Sequence, residues 1–131
     1  MTDPTKYVRK MYFDELNADV IKVYDGLAPT SATGIYAVID TSFLVQPITK
    51  GCRVYRFTVN LDIYEEFPEY GSSVGVDNKA DQILSIMFGT PTIAGGYTVT
   101  ESILQSVQNT AFQNDRFAIW NKKITIVHVI S

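Results

Sequence analysis

His128 is the only histidine in the chain, which excludes a multi-histidine metal site and any relay of two imidazoles. A lone general base is the most it could supply. Placed between Val127 and Val129, it reads instead as a strand histidine, hydrogen-bonded or facing solvent. Cys52 is also single and sits between Gly51 and Arg53. The arginine could lower a thiol pKa, but the sequence offers no second cysteine and no nearby histidine to complete a thiol catalyst.

Carboxylates are the next candidates. Glu65, Glu66 and Glu69 fall in one acidic segment, and Asp77 and Asp81 are four apart on a predicted helix. A divalent cation needs several oxygens that converge, usually from more than one element. No calcium-loop pattern occurs, and Phe67-Pro68 splits the acidic cluster. Asp77 and Asp81 have a simpler use in the first turns of their helix, where negative charge opposes the macrodipole. Gly95-Gly96 would cradle a phosphate only if a helix came directly after it. The next residues are Tyr97-Thr98-Val99-Thr100, a strand pattern, so the pair reads as a turn. No Gly-x-Ser-x-Gly elbow is present. The sequence predicts no enzyme, no cofactor and no bound metal.

Aromatic side chains outside the expected core say more. Phe67 and Tyr70 lie in the segment Glu65 to Gly75, which reads as a loop from its Pro, Gly and Ser content. Phe112 lies in a polar connection, Gln108 to Asp115, and Trp120 in the last strand near Lys122 and Lys123. Loops are surface features, and aromatics are enriched at protein interfaces. These four are therefore the candidate partner-interface residues. The competing reading folds each of them over a sheet edge.

The elements that must position these residues can be read from periodicity. Asp3 and Pro4 open a helix that places Tyr7, Val8, Met11, Tyr12 and Leu16 on one face. A short strand, Val20 to Tyr24, ends at Asp25-Gly26. A second strand is predicted from Ile35 to Gln46 and a third from Arg53 to Tyr64. In the third, Tyr55, Phe57, Val59, Leu61 and Ile63 alternate with Arg56, Thr58, Asn60 and Asp62, giving one buried and one wet face. Val76, Ala80, Ile83 and Met87 mark a second helix that stops at Gly89-Thr90-Pro91. Strands from Tyr97 to Val107 and from Arg116 to Ile130 complete the chain. Ile124 to Ile130 is apolar on both faces except at Thr125 and His128, which implies an interior strand or one that something else covers. The order is α-β-β-β-α-β-β, an α+β domain with two helices on a mostly antiparallel sheet.

The 131 residues suit a single domain spanning 1–131. Hydrophobic residues at 46% and charged residues at 19% belong to a folded protein and not a disordered one. A net charge of −3 argues against a protein built to neutralise phosphates. No apolar run approaches the roughly 18 residues of a membrane span, and no signal-peptide core opens the chain. One cysteine precludes an internal disulfide, which fits synthesis in a reducing cytoplasm.

The whole pattern resembles the tail-completion, or tail-terminator, family of bacteriophages. The likeness runs over residues 5 to 130. It includes the Val-Tyr-Asp-Gly segment, the strand Ile-Tyr-Ala-Val-Ile, the long strand Tyr55-Arg56-Phe57-Thr58-Val59-Asn60-Leu61-Asp62-Ile63-Tyr64, the helix with Ala80-Asp81-Gln82-Ile83-Leu84, and the ending Ile124-Thr125-Ile126-Val127-His128-Val129-Ile130. The resemblance implies a non-enzymatic subunit forming a ring, often hexameric, at the head-proximal end of the tail or at the head–tail junction. Such a ring would cap the tail tube and join the head connector and neck proteins. Its station would be the virion, reached after assembly in the host cytoplasm, and DNA would pass through it without sequence-specific binding. The rival readings are a neck or adaptor ring of a short-tailed phage, a small metal-dependent enzyme using Glu65, Glu66 and Asp77, and a monomeric module binding a peptide or carbohydrate through Phe67 and Tyr70.

Overall fold

The structure is a computed structural model and describes residues 4–17, 20–28, 34–40, 44–47, 54–67, 71–89, 91–113 and 118–131. Cys52, Glu69 and Tyr70 lie outside these residues. Among the described residues, six strands and two helices follow one another as α1 (Thr5–Leu16), β1 (Lys22–Asp25), β2 (Ile35–Ile39), β3 (Leu44–Pro47), β4 (Tyr55–Phe67), α2 (Val74–Phe88), β5 (Val99–Gln113) and β6 (Ala118–Ile130). They form one sheet in the order β1-β2-β4-β6-β5, with β3 also on β4. All pairs are antiparallel except β1 with β2. The α+β class and the element order expected from periodicity hold, with one predicted strand broken in two.

That break is a step in register. β2 pairs Ile39 with Leu61 while β3 pairs Leu44 with Thr58 on the same edge of β4. Five steps along one chain match three along β4, so two extra residues are absorbed between them. A single alternating pattern over Ile35 to Gln46 could not show this, because a two-residue step leaves the phase of alternation unchanged.

β4 carries the core. Tyr55, Phe57, Val59, Leu61 and Ile63 are all buried on one face, beside Ile124, Ile126 and Ile130 of β6. Both helices cover this face. α1 brings Val8, Met11, Tyr12 and Leu16, and α2 brings Val76, Ala80, Ile83 and Met87, the residues that the spacing predicts. β6 lies between β4 and β5, so both of its edges are paired. Gly95 and Gly96 turn the chain at φ 75° and 77°, a left-handed conformation that glycine adopts without steric cost. A Cβ on Gly95 would also lie 2.6 Å from the Tyr7 ring.

Part of each of two expected loops is strand. β4 continues through Glu65, Glu66 and Phe67, which pair with Trp120, Ile119 and Ala118 of β6. β5 continues through Gln113, so Gln108 to Gln113 of the segment read as a polar connection pair with β6. In both places backbone pairing with a long neighbour outweighs side chains of low strand preference.

Candidate functional site

Strand register decides which candidate residues can meet. Residues directly opposite each other in neighbouring strands share a face. Phe67 stands opposite Ala118, and Trp120 stands opposite Glu65 and Ala111, all on the helix-covered face. Phe112 stands opposite Ile119, in the same row as Glu66, on the other face. Phe67, Trp120 and Phe112 thus share one end of the sheet but not one face. The Phe67 ring lies against Gly71, where an added Cβ would come within 2.2 Å of it. Trp120 is half-buried against the core. Phe112 remains 57% exposed. The fourth candidate, Tyr70, is outside the described residues.

The same alternation separates the carboxylates. Glu65 and Glu66 are adjacent on β4 and point to opposite faces, so they cannot converge on one ion. An oxygen of Glu65 packs against the first turn of α2, 2.2 Å from where a Cβ on Gly75 would sit. Asp77 pairs with Lys122 at 2.7 Å. The Lys122 contact, then a hydrogen bond from Ser73, holds the Asp77 carboxyl below the usual range. Among the described residues no three His, Cys, Asp or Glu side chains cluster to hold a metal. A shallow groove of ≈ 390 Å³ beside α2 is lined by Val20, Asp81, Gln82, Ser85 and Ile86. It offers one carboxylate and no second titratable group to work with it.

His128 is the centre of a network absent from any single stretch of sequence. It is fully buried, with its Nε2 2.6 Å from the Tyr12 hydroxyl and its Nδ1 2.7 Å from Ser102 Oγ. Burial lowers its pKa to about 4 and raises that of the Tyr12 phenol well above its ordinary value. A neutral imidazole has one donor and one acceptor nitrogen. Whichever nitrogen carries the proton, both ring nitrogens are hydrogen-bonded. The Ser102–His128–Tyr12 chain therefore links β5, β6 and α1 as a satisfied buried network.

The helix-free face carries a second feature not expected from sequence. Tyr36 and Tyr64 stack at 5.5 Å between centroids, and Tyr24 meets Tyr36 edge-on at 5.9 Å. Asp62 lies on this face beside Asn121, and burial raises its carboxyl above the usual range despite the Asn121 hydrogen bond and Lys123. The signal was present as tyrosines at the wet phase of alternating strands.

No family model matches the chain, and no curated protein matches it in sequence. Among solved structures, a chain of the virion of a native gene transfer agent (GTA) particle matches it over 100% of both chains, with a TM-score of 0.68 at 11% identity. The fold is shared with a virion chain. A second solved structure covers 95% of this chain and 94% of its own, with a TM-score of 0.52 at 13% identity. At such identities the common element is the backbone arrangement alone.

Proposed function

We propose that this protein is a structural subunit of a phage or phage-like virion. It works as a ring of copies at the head-proximal end of the tail or at the head–tail junction, capping the tail tube and joining it to the connector. The observation that carries this reading is the end-to-end fold likeness to a chain of a GTA virion. Two further features agree with it. The one histidine is held by hydrogen bonds on both ring nitrogens, and of the candidate carboxylates Glu65 and Glu66 point to opposite faces and Asp77 pairs with Lys122.

A head-to-tail contact between identical subunits closes into a ring when the rotation permits. A net charge of −3 suits a conduit that DNA must leave freely, because few phosphate contacts mean weak attachment. Of the four aromatics expected at the joints, Phe112 is the best placed, exposed near the end of β5. Phe67 and Trp120 lie on the opposite face, and Tyr70 comes after β4 in the chain.

Deleting the gene in the producing strain tests the function. Heads and tails that accumulate unjoined, or tails of uncontrolled length, are the expected result. Normal numbers of complete particles without the chain would refute it.

A further inference from the structure

β5 is one edge of the sheet and pairs, among the described strands, with β6 alone. An edge strand presents unbonded N–H and C=O groups, and proteins usually blunt such edges with charge, proline or short length. β5 is fifteen residues long and has no charged residue and no proline after Glu101. Its bulges fall before Ser106, so Ser106 to Gln113 run in unbroken register with β6. Ile103, Leu104 and Val107 add apolar surface, 48%, 38% and 40% exposed.

The chemistry of this edge selects its occupant. A nucleic acid or an acidic peptide finds no cation on it, and a basic partner finds no carboxylate beyond Glu101. Ser106, Gln108, Asn109 and Thr110 each carry groups that both donate and accept hydrogen bonds, so they are satisfied by side chains of their own kind. Two copies of a chain with net charge −3 can meet here with no charge on either side of the joint.

We propose that the outer edge of Ser106 to Gln113 is where a second copy of this chain joins, laying a strand against β5 main chain to main chain. The contact rests on the ring reading for its place in a particle but not for its existence. Eight residues at about 3.4 Å each, on a sheet about 10 Å thick, cover about 270 Å² per partner. A stable pair needs about 800 Å² on each side. One joint alone is therefore weak and concentration-dependent.

Sedimentation of the full chain from micromolar to millimolar concentration tests this. The average mass should rise above the 14.7 kDa of one chain. The double variant Gln108→Lys/Thr110→Lys places like charges on the edge of every copy and should stay at one chain mass. Asn78→Lys/Gln82→Lys adds the same charge on α2 and should associate like the parent. A parent that remains monomeric at millimolar concentration, or an edge variant that associates as the parent does, would overturn the proposal. Should the edge variant fold poorly, the parent alone decides. Amide exchange across Ser106 to Gln113 slows with rising concentration if the joint exists and is unchanged if it does not. A ring seen in particles with β5 facing solvent would overturn the joint and leave the ring standing. Association through β5 by a chain missing from virions would support the joint and remove the ring.

Discussion

The Tyr12 hydroxyl lies 2.6 Å from Nε2 of His128, joining the first helix to the last strand across 116 residues of sequence. Their rings meet edge-on at 5.7 Å between centroids. Both side chains are fully buried, so the Tyr12 hydroxyl and Nε2 depend on each other for a partner. Tyr12→Phe keeps the ring and removes the hydroxyl, leaving Nε2 buried and unsatisfied. The expected loss is about 1–3 kcal/mol in a denaturant melt. Ser102→Ala should cost less, because Ser102 is only half-buried and water can replace it.

His128 also makes stability depend on pH. Its folded pKa is lowered to about 4 from an ordinary 6.5. Between those values the unfolded chain takes up a proton that the folded chain refuses, so this contribution is full above 6.5 and lost as pH falls toward 4. The loss is about 3 kcal/mol in all. The His128 ring protons should show no titration by NMR between pH 8 and about pH 5. A titration midpoint near 6.5 in the folded protein would contradict the buried neutral imidazole.

Phe57 fixes the register of the central strand. It is fully buried, while its neighbour Thr58 points to the helix-free face. Phe57→Ala should cost about 3–5 kcal/mol, and Thr58→Ala should cost little. Similar small losses at both positions would contradict the alternation on β4.

Gly71 and Phe67 give a local test of where that aromatic sits. A Cβ on Gly71 would lie 2.2 Å from the Phe67 ring, so Gly71→Ala must displace the ring. The expected destabilisation is about 1–3 kcal/mol, relieved in Gly71→Ala/Phe67→Leu. An unchanged melting temperature in Gly71→Ala would show that the ring lies elsewhere.

Much of this was legible in sequence wherever one face is buried and the other wet. Val76, Ala80, Ile83 and Met87 mark the buried face of α2, and the odd-numbered apolar residues of β4 mark the core. Legibility failed where burial stopped patterning the residues. Gln108 to Phe112 are exposed, so nothing in their sequence distinguishes edge strand from loop. Glu65 to Phe67 are held in β4 by pairing with residues more than fifty positions away. The Tyr12–His128–Ser102 network was invisible for a related reason: its members come from three elements that only the folded chain brings together. The four candidate aromatics were found individually, but the two-faced division of Phe67 and Trp120 from Phe112 depends on register, which a single strand's pattern does not contain.

The most direct test of the central claim is a cryo-electron microscopy reconstruction of intact particles, focused on the junction between head and tail. A ring of density is expected there, each unit of which accepts this fold with the β4–β6–β5 end at the subunit boundary. A junction fully occupied by other chains, with this protein absent from purified particles, would contradict the claim.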